Sequence, residues 1–236
     1  MRQEVEPAMA SGKGMTEPAS EQLRAAVRED WDAAVAHPFV RELFAGTLPA
    51  PALKRYLVQD YQFVDGFTAL LGAAVACADS TPSRMVIARQ LGIVAGEENT
   101  YFQRAFDTLG VPGPERAAPE LLPVTAEFND LMNEAASSLD YASCLTVLTV
   151  AEWLYLDWAR QAPRPLPADP LAREWIEIHD NPAFGTWVEF LRGELDRIIP
   201  QLPAASRDSC EQAFAPATRL ELRFFEAAYT GTTRSS

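Results

Sequence analysis

The stretch from Asp140 to Arg160 constrains this chain more than any other, because between Cys144 and Leu156 its only charged side chain is Glu152. A run of this kind reads as a buried helix. At helical spacing Glu152 shares a stripe with Leu145, Leu148, Tyr155 and Ala159, so its carboxyl faces a core and not water. An ionised carboxylate among apolar side chains costs several kcal/mol unless it is paired. Glu152 therefore either has a partner on a neighbouring helix, such as a Tyr hydroxyl or an Arg, or holds a proton near neutral pH. Both outcomes suit acid–base chemistry, and a satisfied structural glutamate is the alternative.

The same helical period repeats along the chain. Leu23, Val27, Trp31 and Val35 follow a cap at Ser20 and lead to His37-Pro38, where His37 closes the first helix junction. A short turn ends at Gly46, and Pro51 opens a long helix through Cys77 in which Asp60 falls on the stripe of Tyr56, Phe63, Val64 and Phe67. Thr81-Pro82 starts the next, running to Gly110, with interior Gly92 and Gly96 predicting close packing or a kink. After a Pro- and Gly-containing loop, Thr125 caps a shorter helix carrying Phe128. Asp169-Pro170 and Asn181-Pro182 open two more, placing His179 at a helix C-terminus or in the turn beyond it. In the last element Glu221 lines up with Ala217, Phe224, Phe225 and Ala228, a third inward acid beside Asp60 and Glu152. With no alternating apolar–polar run and no hairpin signal, the fold class is all-α, about eight helices in a single domain. Its expected limits are residues 20–230, with tails at 1–19 and 231–236 and with Met9 or Met15 as alternative starts.

Composition narrows the function. A formal charge of −13 without a Lys/Arg cluster argues against nucleic acid, and no segment is apolar enough for a signal sequence or a bilayer span. The three cysteines, Cys77, Cys144 and Cys210, are widely spaced in apolar helical stretches and read as reduced core residues of a cytoplasmic protein. The two histidines, His37 and His179, sit in no Glu-x-x-His pair, so neither a metal nor another cofactor is expected.

Several phrases taken together, HPFVRELFAGTLP, YLVQDYQFV, AEWLYLDWA, WIEIHDNPAF and LELRFF, resemble the TenA family. This is the thiaminase II and aminopyrimidine hydrolase group of the haem-oxygenase-like fold. The resemblance covers roughly residues 20–230 in the family's order and spacing. It implies a homotetramer, a pyrimidine substrate, and site roles for Asp60, which matches the family's QD aspartate, and Glu221, which matches its glutamate before the terminal aromatic pair. It also implies a departure. The family's catalytic cysteine stands four residues before the central tyrosine, where this chain has Ala151 before Tyr155. Three other pocket tyrosines correspond to Phe63, Phe128 and His179. The pattern is similar to the family's cysteine-lacking branch, often called E-type, and Glu152 beside the vacant position becomes the candidate replacement.

Chemistry agrees with that division. Displacing thiazole from thiamin goes through a covalent adduct for which Ala151 has no nucleophile. Hydrolysis of an exocyclic amine or a formamide needs only an activated water, a proton for the leaving nitrogen and a group to orient the ring. Glu152 and Glu221 are the candidate acid and base. Asp60, Tyr155 and His179 are candidate binding groups, and Phe63, Phe128 and Phe225 offer faces on which a pyrimidine can stack, although each Phe alone is equally a core residue. A non-catalytic binding protein and an oxygenase on the same fold are the competing readings.

Overall fold

The computed structural model describes residues 17–231; the two tail assignments lie largely outside these residues. The described chain is helical, without a strand, in the order α1 (Ala19–Ala26), α2 (Arg28–Val35), α3 (Pro38–Ala45), α4 (Ala50–Asp60), α5 (Phe63–Cys77) and α6 (Thr81–Ile93). A π-helical turn, Val94–Glu98, joins α6 to α7 (Asn99–Thr108). There follow α8 (Gly113–Ala117), α9 (Pro123–Ser138), α10 (Tyr141–Ala159), α11 (Pro170–His179), α12 (Pro182–Ile198), a 3₁₀ turn Ile199–Gln201 and α13 (Ala204–Thr230).

The described helices outnumber the expected eight because two segments expected as a turn and a loop, α3 and α8, are helical and because three long periodic stretches are broken. The first is interrupted at Val27, the second at Tyr61 and Gln62, and the third by the π-turn. Hydrophobic periodicity survives such breaks, since a short interruption shifts the stripe without ending it.

Capping chemistry sets most of the boundaries. Asp140, Asp169 and Asn181 each accept a backbone N–H of the helix they open, and His37 does the same through Nδ1 from Phe39 at 3.1 Å. Gly46 and Gly110 end their helices at φ 66° and 62°, a conformation that glycine adopts without a Cβ clash. Three expected caps move. Pro18 and not Ser20 precedes α1, Ser80 and not Thr81 caps α6, and α9 opens at Pro123 ahead of Thr125. In the last two cases a proline occupies the first turn, where its missing N–H is harmless.

Helix α10 is the axle. Sixteen of its 19 residues are buried, and it packs against α2, α5, α9, α11, α12 and α13. Among the described residues no helix is long and apolar enough to cross a membrane. Cys144 is fully buried in this axle, and all three cysteines are free thiols.

Truncating the axle and uncapping it should differ sharply. Leu148→Ala removes a fully buried side chain and is expected to lower stability by about 2–5 kcal/mol, against about 1 kcal/mol for Asp140→Ala at the N-cap. Urea denaturation midpoints measure both, and equal losses would contradict the central position of Leu148.

Candidate active site

The helix breaks gather the acids. Asp60 is the last residue of α4 and Phe63 the first of α5, so the interruption at Tyr61 and Gln62 sets the two side chains on either side of a bend. Both reach a cavity of about 640 Å³ that is also lined by Phe128 of α9, Ala151, Glu152 and Tyr155 of α10, His179 of α11 and Glu221 of α13. Seven of the eight residues predicted to form a site thus share one cavity. Phe225 does not. Its ring is fully buried behind the cavity wall, stacked on Phe39 at 5.6 Å and on Tyr56 at 6.1 Å, and so belongs to the core.

The polar groups are held by short bonds. Trp187 Nε1, on α12, donates to Glu152 Oε1 at 2.7 Å within a buried environment. Tyr155 donates to Asp60 Oδ1 at 3.4 Å, and Tyr56 Oη lies 2.8 Å from Tyr155 Oη. With Tyr155 donating forward, Tyr56 donates to Tyr155, giving a relay of two phenols ending on the carboxylate. His179 Nδ1 is 2.9 Å from the Trp175 carbonyl. A carbonyl only accepts, so Nδ1 carries the proton and Nε2 is left as an acceptor.

Sequence reasoning missed two members of this site. Glu98, at the end of the π-turn, lines the cavity, and Trp187 supplies the donor to Glu152. The pair Gly92 and Gly96, expected to mark close packing or a kink, pointed to this stretch. A Cβ at either would meet nothing within 4 Å, so neither marks a close helix contact, and Gly96 lies within the π-turn that interrupts the helix.

Burial and mutual repulsion shape the electrostatics. Burial pushes the Glu152 carboxyl up to about 8, repulsion from Glu98 adds to this, and the Trp187 bond opposes it. Burial alone lifts Glu98 to about 7. Asp60 is raised well above the usual carboxylate range by burial and then by Glu98, against the Tyr155 bond. Glu221 is raised by burial and then by the charges of Asp60 and Glu152. The His179 imidazole is lowered by burial to about 4, opposed by its bond to Trp175, and is neutral at physiological pH. The cavity therefore holds several acids that cannot all be ionised together, beside a neutral imidazole and aromatic walls. Such a set can both take up and deliver protons.

Comparison with known proteins places the chain. Residues 24–231 match the TENA/THI-4/PQQC family. The chain is 27% identical over 212 residues to the aminopyrimidine aminohydrolase of Bacillus subtilis (strain 168), covering 89% of each protein. It is 21% identical to the aminopyrimidine aminohydrolase of Halalkalibacterium halodurans, over 84% of this chain and 90% of that one. Among solved structures, a TenA homologue from Pyrococcus furiosus superposes with a TM-score of 0.81 at 19% identity, covering 89% of this chain and 100% of the other. A TenA homologue from P. horikoshii OT3 gives a TM-score of 0.80 at 23% identity, with 92% and 100% covered.

The Glu152 shift carries a stability consequence. A folded-state value of about 8 lies above the unfolded carboxylate value near ~4.3, so the contribution is fully present below the unfolded value and is lost as pH rises through about 8. Urea midpoints should therefore fall from mildly acidic to mildly alkaline pH, and Glu152→Gln should flatten that fall. An unchanged slope in the variant would show that Glu152 is not held protonated in the folded protein.

Proposed function

This chain belongs to the TENA/THI-4/PQQC family, and on that basis we propose that it is a C–N hydrolase of an aminopyrimidine or formylaminopyrimidine in pyrimidine salvage for thiamin metabolism. It works without a cysteine nucleophile, as in the family's E-type branch. The names of the Bacillus and Halalkalibacterium relatives support the reaction class. One observation carries the finer reading. The cavity wall presents Ala151 one turn before Tyr155, with the Glu152 carboxyl beside it, and none of the free thiols Cys77, Cys144 and Cys210 lines that cavity.

Glu152 is assigned as base and Glu221 as acid. The Trp187 N–H stabilises the Glu152 anion, whereas Glu221 faces the charges of both Asp60 and Glu152 and so holds its proton harder. In the step itself, Glu152 takes a proton from a water whose oxygen bonds to the carbon bearing the leaving nitrogen. The C–N bond breaks as Glu221 passes its proton to that nitrogen, which departs as ammonia or a neutral amine. Asp60 accepts from a ring amino group, its position fixed by Tyr155, while Phe63 and Phe128 stack on the ring and His179 Nε2 offers an acceptor. A homotetramer and a cytoplasmic location complete the reading, both resting on the family resemblance and composition; light scattering that returned a monomer would remove the first.

Ammonia or formate release from a panel of aminopyrimidines tests the proposal. Glu152→Gln and Glu221→Gln are expected to lower kcat by roughly 10²–10⁴-fold with binding largely kept, while Phe63→Ala and Phe128→Ala mainly raise KM. Tight binding by the wild-type protein without turnover would replace the hydrolase with a carrier.

Thiamin is the complementary probe. No thiazole release at a meaningful rate is expected, because Ala151 forms no adduct. Release that persisted in both Glu152→Gln and Cys144→Ala would overturn this chemical assignment.

A further inference from the structure

The acids in the cavity have too few cations. Five carboxyl groups line it, and four of them, on four different elements, have no ion pair with a described residue: Asp60 at the end of α4, Glu98 in the π-turn, Glu152 on α10 and Glu221 on α13. The fifth, Glu174, and Tyr155 also line it, and Tyr56 stands behind Tyr155. Against these, the only lining Lys or Arg among the described residues is Arg104. Its guanidinium is already engaged by Glu174 through two bonds of 2.5 and 3.0 Å, and the pair is partly exposed. His179 brings no charge, for its Nδ1 proton is bound to the Trp175 carbonyl and burial disfavours the imidazolium.

Glu221 is the most telling of the four. Its side chain is 2% exposed, it lines the cavity, and no hydrogen bond or ion pair joins it to another described residue. Its carboxyl has no partner among the described residues and opens onto the cavity, so whatever partner it takes must come from the occupant of that space. Glu221 points to a ligand. Aromatic rings make up much of the remaining wall, with Phe63, Phe67, Phe128, Trp175 and Phe184 around the same space beside aliphatic side chains such as Val94 and Met132. Ring faces attract cations as well as stacking on heteroaromatics.

We infer that this cavity takes its ligand as a cation, an amidinium or aryl-ammonium group seated between the acid cluster and the aromatic walls, and that its arrival expels a proton from the cluster. The inference deepens the proposed hydrolase and rests on it for the choice of a ring-amidine ligand. In the empty cavity burial first, and then repulsion from any neighbouring carboxylate, favours the protonated acids. A ligand cation offsets the cost of a buried negative charge, so one carboxyl ionises and the proton passes to solvent. Charge balances: one positive charge enters bound to the ligand and one leaves as the proton. Glu98, which is given no part in the bond-breaking step, acquires a role as a positioning charge for the cation.

Benzamidinium and benzamide test this, having nearly the same shape and differing in charge. Calorimetric titrations in two buffers of different ionisation enthalpy measure affinity and proton release together. Benzamidinium is expected to bind at least ~10-fold more tightly than benzamide at neutral pH, to tighten from mildly acidic to mildly alkaline pH, and to release about one proton per molecule bound. Glu98→Gln should weaken benzamidinium by roughly 10-fold and leave benzamide unchanged. If this variant fails to fold, the wild-type comparison decides alone. Equal or tighter binding of benzamide, or cation binding with no proton release and no pH dependence, overturns the inference. Ammonia or formate release, assayed separately, keeps the two proposals apart. Turnover without a cation preference sinks this one only, and a cation preference without turnover sinks the hydrolase only.

Discussion

The hydrogen bond from Trp187 Nε1 to Glu152 is the interaction on which the site depends. An acid on the most buried helix of the protein has no water to solvate its anion, so the protein must supply donors or the acid must stay protonated. At 2.7 Å the indole N–H supplies one donor and leaves the other carboxylate oxygen unclaimed by it. That partial solvation holds Glu152 near 8 instead of driving it further from the working range. A second donor would favour the carboxylate further, and loss of the indole would favour the neutral acid. The contact also ties α12 to α10, so one side chain both packs the two helices together and favours the ionised form of Glu152.

Regular helix is given up where the cavity needs walls. The α4–α5 break turns the chain between Asp60 and Phe63, and the π-turn at Val94–Glu98 ends with a carboxyl facing the other acids. A π-turn inserts a residue relative to α-helical spacing and leaves backbone groups less well bonded. Here the Gly96 carbonyl accepts from the Asn99 backbone N–H and also from Thr100 Oγ1 at 2.7 Å. Departures from local regularity at a site, with strict regularity in α10 behind it, are the arrangement expected when precise placement has to be set against a rigid support.

What could be read from the sequence follows from the same physics. Asp60, Glu152 and Glu221 were legible because a charged residue on an apolar stripe is an anomaly that periodicity exposes directly. The family was legible from its phrases, and with them came the expectation that Ala151 stands where the family's nucleophile would be. Glu98 was not legible, because it stands in a helix whose period shifts at the π-turn, and an acid beside another acid in a sequence reads as a solvated face. Trp187 was hidden for the opposite reason: a tryptophan in an apolar stripe gives no sign of where its N–H points. Phe225 was assigned to the cavity because it follows Glu221 by one helical turn. A stripe has width, however, and α13 uses it to face the cavity with the acid and the Phe39–Tyr56 stack with the ring. Sequence spacing gives the side of a helix. Which neighbour fills that side is a tertiary fact.

Four acids around one space also bear on the order of events in catalysis. If Glu152 were ionised in the empty cavity, its charge would raise Glu221 and be raised in turn by Glu98, so the empty cavity favours the protonated form of at least some members. A base that is mostly protonated is idle. On the proposed reading a cationic ligand stabilises the ionised form of whichever acid it faces, so the ligand itself would generate the carboxylate that activates water. On the same reading Glu221, which still feels the negative charge of Glu152, keeps the proton that the leaving nitrogen requires. The separation of base from acid then needs no permanent difference between two similar glutamates. It arises from the Trp187 donor on one side, its absence on the other, and the charge that the substrate brings with it.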